Sequence, residues 1–90
     1  MSTSEMTTAE LAAAEAPDII AAPPGPKTRA IVDRDEAVTS PSLPRAYRFA
    51  PKRGAGCVVE DVDGNLFLDL NAGIAVTSTG HSHPQVVEAI

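Results

Sequence analysis

Two imidazoles stand close together in the run Gly80-His81-Ser82-His83-Pro84. Neutral histidines at that spacing can face one metal ion together. The chain has 2 histidines in all, so further ligands would have to come from other sequence. The plainer reading is a loop-to-helix junction whose rings bond to backbone, and no metal site is expected. Asp61, Asp63 and Asn65 alternate like the first ligands of a calcium loop. Such a loop needs glycine and glutamate further on, where Leu66 and Ala72 stand. These carboxylates read better as the polar face and turn of a hairpin. Gly54-Ala55-Gly56 lacks the third glycine of a dinucleotide fingerprint, since Val59 holds that place. A strand follows instead of a helix, so a bend is expected. Thr77-Ser78-Thr79-Gly80 precedes a helix start, where hydroxyls and free N–H groups suit an anion, but no phosphate is assigned to it. Cys57, the single cysteine, rules out an intrachain disulfide; at a strand start it is expected to be buried rather than reactive.

The elements that would carry these residues can be read from local chemistry. Cys57-Val58-Val59 leads through Asp61 to Asp63-Gly64-Asn65, a turn signal, because Gly64 takes a positive φ without strain. Leu66–Leu70 is the expected return strand, apolar except at Asp69. A strand apolar on both faces needs cover on both sides, and nothing else in the chain looks large enough to supply it. Gly73 interrupts the next apolar run, and Pro84 suits a first helical position with His83 as cap. A second helix is expected near Pro26–Val38, ended by Ser40-Pro41-Ser42-Leu43-Pro44. Tyr47–Ala50 is the expected edge strand, limited by Pro51.

Residues 1–24 carry Glu5, Glu10, Glu15 and Asp18 with no Lys or Arg and no aromatic residue. Such a composition buries too little surface to offset ordering entropy, so a disordered acidic Ala/Pro-rich tail is expected. A frayed helix near Thr8–Ala16, with Thr7 and Glu10 as a capping box, is the exception. The tail resembles neither a secretory signal nor a mitochondrial presequence, and a cytoplasmic protein is expected, with no membrane span. The net charge is −5, yet all 7 basic residues lie between Lys27 and Arg53. Arg45, Arg48, Lys52 and Arg53, interleaved with Tyr47 and Phe49, pose the question of nucleic acid. An acidic chain favours the alternative, a connection meeting acidic surface of the same protein, so no nucleic-acid partner is expected.

The ordered pattern Gly54-x-Gly56, Val59-x-Asp61-x-Asp63-Gly64, Leu68-Asp69-Leu70, Gly73-Ile74-Ala75-Val76, Gly80-His81-x-His83-Pro84 and Val87-x-Ala89-Ile90 resembles the N-terminal region of class III aminotransferases. These are pyridoxal-phosphate enzymes that include acetylornithine, ornithine and 4-aminobutyrate aminotransferases. The resemblance implies an α/β fold class. Residues 25–90 would form the N-terminal segment of a fold type I transferase: a short helix, an antiparallel hairpin and the start of a helix. That segment would be truncated before the large cofactor-binding domain. It implies amino-group transfer from an amino acid or ω-amino acid to a 2-oxo acid, pyridoxal phosphate as cofactor and a homodimer. The Schiff-base lysine of the family lies beyond this chain. Lys27 and Lys52 do not match its context, so no catalytic or cofactor-binding residue is assigned and the chain alone is expected to be inactive. In the family the residue matching Ile74 lies at the substrate's side chain, which makes Ile74 the expected substrate-binding residue. Three other readings stay open, one of them an autonomous small interaction module, which the uncovered hairpin and helix disfavour. A minority of close relatives racemise amino acids with the same cofactor. Metal-dependent amidohydrolases resemble the His81-x-His83 pair.

Overall fold

Residues 6–90 are described by the computed structural model. In chain order the elements are α1 (Thr8–Ala12), α2 (Pro26–Val38), β1 (Pro51–Ala55), β2 (Val58–Asp61), β3 (Leu66–Leu68), a helical turn α3 (Ala72–Ala75) and α4 (Pro84–Ala89). The three strands form one antiparallel sheet in the order β1-β2-β3. This is a small α/β segment with an antiparallel hairpin, as the sequence implied.

The hairpin follows from its turn. Gly64 has φ 87°. An Asp61 side-chain oxygen accepts the N–H of Asp63 at 2.9 Å and of Asn65 at 2.8 Å. Val58, Val59 and Glu60 then oppose Leu68, Phe67 and Leu66. The ladder extends one step further, with Asp69 N–H donating to the Cys57 carbonyl at 2.8 Å.

Three local expectations shift. The edge strand is Pro51–Ala55, not Tyr47–Ala50. Proline at the first residue of an edge strand removes no needed donor, so Pro51 opens the strand instead of limiting it. Gly54-Ala55-Gly56 is therefore not a bend. The turn is Gly56-Cys57, with Gly56 at φ 58°. Cys57 consequently lies in a turn and is exposed, contrary to the buried position expected.

A further difference concerns the segment expected to be a disordered tail. Residues 1–5 lie outside the described residues; within 6–24, Leu11 is buried on the sheet with Met6, Ala14 and Ala16 beside it, and Asp18, Ile20 and Ala21 bond to the hairpin. The capping box is present: Glu10 N–H donates to Thr7 Oγ1 at 3.1 Å, and Thr7 N–H to Glu10 Oε1 at 3.3 Å. It starts a short α1 that buries Leu11 completely against Ala55, Val58 and Leu66. Asp18 then bridges the free edge of β3, exchanging both main-chain bonds with Leu66 at 2.8 and 2.9 Å. Average composition misses this, because one leucine and a row of backbone groups carry the docking.

The sheet thus has cover on both faces near its centre. Leu11 and its neighbours lie on the Leu66 face. On the other face Phe67 meets Phe49 edge to face, with ring centroids 5.3 Å apart, an arrangement favoured by the ring quadrupoles. Glu60, 1% exposed, lies on the Leu66 face opposite Leu66 and is paired with Arg53 Nε at 2.7 Å. Arg53 also donates to the Met6 carbonyl, tying the N-terminal segment to β1. Two further members of the basic cluster meet α2: Arg45 pairs with Asp35 at 3.3 Å and Arg48 with Asp33 at 2.8 Å. These pairs match the expected connection to acidic surface of the same protein.

Asn65 joins these parts. It is fully buried. Its Oδ1 accepts the N–H groups of Ile20 and Ala21, both at 2.8 Å. Its Nδ2 donates to the Ala21 carbonyl at 2.8 Å and to Asp61 Oδ2 at 3.0 Å. Asp63, in the same turn, caps α2 by accepting the N–H groups of Lys27 and Thr28, both at 2.9 Å. Gly25 must be glycine for this, since a Cβ there would lie 2.3 Å from Asp63 Cγ. Asn65→Ala should cost about 2–4 kcal/mol, because each stranded polar group costs roughly 1–3 kcal/mol. Denaturant unfolding and amide exchange check this. Unchanged stability with unchanged exchange at Ile20 and Ala21 would contradict the docking of residues 6–24.

Candidate functional site

The return strand delivers the chain to Asp69, the one acid in the apolar run Leu66–Leu70. Its two oxygens have separate tasks. Oδ1 accepts the N–H of Asn71 at 3.0 Å and of Ala72 at 2.8 Å. Oδ2 lies 2.6 Å from His81 Nε2. Both side chains are largely covered, with Asp69 at 18% and His81 at 26% exposure. The bond to His81, then those from the Asn71 and Ala72 N–H groups, hold the Asp69 carboxyl below its ordinary value, against the opposing effect of desolvation.

His81 is anchored to the sheet independently. Its main chain exchanges two bonds with Gly56, each 2.9 Å. Its ring lies against Gly54, where a Cβ would stand 2.9 Å from the ring carbon Cγ. Ser82 Oγ donates to the Gly54 carbonyl at 2.7 Å. His83, by contrast, is the expected cap of α4: its Nδ1 accepts the Gln85 N–H at 3.2 Å. The two imidazoles are therefore committed to different local partners. No group of three metal-ligating side chains converges among the described residues.

Between Asp69 and His81 lies α3. Ala72, Gly73, Ile74 and Ala75 have φ of 53°, 62°, 64° and 65°. Only glycine accepts this left-handed conformation readily; other residues resist it by roughly 1–2 kcal/mol each. The turn is closed by Ala75 N–H to the Asn71 carbonyl at 3.0 Å, and by Val76 and Thr77 N–H to the Ala72 carbonyl at 2.8 and 3.0 Å. Ile74 stands on it 82% exposed, flanked by Leu70 at 90% and Val76 at 76%. The polar loop that follows turns back through Gly80 N–H to the Thr77 carbonyl at 3.0 Å.

Asp69 was not singled out as functional from sequence. Its one signal was being a lone acid in an apolar strand, shortly before Gly73. Lys27 and Lys52 are exposed, at the start of α2 and on the outer strand. Neither lines the groove of about 420 Å³ beside α2 or that of about 330 Å³ beside His81. Neither of these two grooves therefore includes a lysine.

Because its folded pKa is depressed, Asp69 contributes stability that is present above its unfolded value, about 3.9, and is lost as pH falls through the folded value. Asp69→Asn should therefore lower Tm at pH 6, and the gap from wild type should close between about pH 5 and pH 2. Melting curves across that range check it. A gap constant down to the lowest pH would contradict the assignment.

Residues 40–90 match the family described as Aminotransferase class-III. The chain is 43% identical over 77 residues to an alanine/serine racemase of Pyrococcus horikoshii, covering 84% of this chain and 16% of that protein. It is 43% identical over 67 residues to a 4-aminobutyrate aminotransferase of Mycobacterium tuberculosis, covering 74% of this chain and 15% of that one. To an acetylornithine aminotransferase of Corynebacterium efficiens it is 54% identical over 37 residues, covering 41% and 9%. The chain therefore spans about a sixth or less of the length of these relatives. The hairpin, the left-handed turn with Ile74 and the Gly-His-x-His-Pro junction all fall inside the matched residues, and the chain belongs to the class III aminotransferase family.

Proposed function

We propose that the full-length protein is a pyridoxal-phosphate-dependent aminotransferase of fold type I. It moves an amino group from an amino acid or ω-amino acid, of 4-aminobutyrate or acetylornithine type, to a 2-oxo acid. The observation that carries this reading is the family match over residues 40–90. The names of the mycobacterial and corynebacterial relatives support the substrate type. The protein works as a cytoplasmic homodimer in this reading. The exposed apolar residues Leu70, Val76 and Ile90 are then covered by the rest of the polypeptide or by the partner subunit. Racemisation of an amino acid is the second reading, favoured by the identity to the alanine/serine racemase. The amidohydrolase reading has no such support, since His81 and His83 are engaged apart.

Pyridoxal phosphate, when bound, supplies an electron sink for carbanion chemistry. The lysine and acid that engage it are assigned to sequence beyond this chain. No step is routed through Lys27 or Lys52. This chain contributes a wall at the substrate's side chain: Ile74 presents an uncharged, branched surface from a fixed turn. Such a wall selects donors by shape and does not bind the cofactor.

In the full-length enzyme, Ile74→Tyr should disfavour long donors relative to short ones while the cofactor stays bound. A pocket contact of this kind is worth about 1–3 kcal/mol, or roughly 10–200-fold in the ratio of kcat/KM values. The ratio for a short and a long donor, measured with Tm and the bound-cofactor absorbance, checks it. A lower Tm with an unaltered ratio, as overpacking alone would give, would remove Ile74 from the pocket. Absence of amino transfer from every donor tried, with cofactor supplied, would overturn the aminotransferase reading.

A further inference from the structure

The geometry points to Asp69 and His81 as positioning residues that fix the left-handed turn α3, and with it the donor selectivity carried by Ile74. The inference rests on the proposed place of Ile74 beside the substrate.

A run of left-handed residues, three of them not glycine, persists only where its surroundings over-determine it. The bonds within α3 come from the N–H groups of Ala75, Val76 and Thr77. The leading N–H groups, Asn71 and Ala72, have no partner inside the turn. Both donate to Asp69 Oδ1. Asp69 therefore supplies the half of the closure that the turn lacks. Its other oxygen is held by His81 at 2.6 Å, which fixes the carboxylate plane. His81 cannot follow a drifting turn, because its main chain is paired with Gly56 and its ring rests on Gly54. A continuous path of contacts runs from β1 through His81 and Asp69 to the backbone under Ile74. Neither Asp69 nor His81 needs to touch the substrate for this. A displacement of about 1 Å at a positioning group is enough to change rates by two orders of magnitude.

The test uses the full-length enzyme saturated with pyridoxal phosphate and the ratio of kcat/KM for a short and a long amino donor. Asp69→Ala and His81→Ala should each move that ratio about tenfold or more. Asp69→Asn, which keeps an oxygen for the turn N–H groups, should restore most of the wild-type ratio. In an Ile74→Ala background, Asp69→Ala should change the ratio by less than about twofold, because residues acting as one unit are not additive. Amide exchange of the ligand-free protein should quicken at Asn71 and Ala72 in Asp69→Ala. If Ile74→Ala moves the ratio while Asp69→Ala and His81→Ala do not, the positioning role is overturned and the place of Ile74 stands. If Ile74→Ala leaves the ratio unchanged, the place of Ile74 fails and the inference falls with it. Should Asp69→Ala not fold, His81→Ala decides alone: it leaves the main-chain pairing with Gly56 intact, and an unchanged ratio in it overturns the proposal.

Discussion

The arrangement depends on the polar turn Asp61–Asn65. Asp61 and Asn65 are both essentially buried, and buried polar groups are tolerable only when satisfied. Here their bonds, with those of Asp63, both close the turn and join it to two other parts of the chain. Asp61 closes the turn itself. Asn65 takes the backbone of Ile20 and Ala21, and Asp63 takes the first N–H groups of α2. With few large apolar side chains available, this hub does what a bigger core would do elsewhere. It sets where the N-terminal segment lies, and so which face of the sheet is covered.

That dependence explains what could and could not be read from the sequence. Signals resting on neighbours in the chain were legible: Asp63-Gly64-Asn65 as the turn, Thr7 and Glu10 as a capping box, Pro26–Val38 as a helix, and His83 before Pro84 as a cap. Signals resting on distant partners were not. The docking of residues 6–24 depends on the Asn65 amide and the open edge at Leu66, neither of which is a local property. The strand Pro51–Ala55 was shifted because Pro51 was read as a stop, when an edge strand tolerates proline at its start. Cys57 followed that error, because the turn falls at Gly56-Cys57.

The candidate site divides in the same way. The proposed place of Ile74 at the substrate rests on family resemblance, which carries information from many folded relatives. The contacts of Asp69 cannot be read locally, because its three partners are brought together by the sheet: the backbone N–H groups of Asn71 and Ala72 at the start of α3 and a histidine anchored beside β1. The consequence is a rigid mount under an exposed apolar side chain. A wall that selects substrates by shape must hold its place, since a pocket that yields discriminates poorly. The left-handed backbone of α3 and the carboxylate that caps it are what such a mount requires.

The central claim, amino transfer by the full-length protein, is tested most directly by the fate of the donor nitrogen. The protein is supplied with pyridoxal phosphate, an amino donor carrying an isotopic nitrogen label, and an unlabelled 2-oxo acid. The account predicts that the label appears on the carbon skeleton of the acceptor, with the donor left as its carbonyl product. A label that stays on the donor skeleton while the configuration at Cα inverts would contradict it and assign the protein to racemisation.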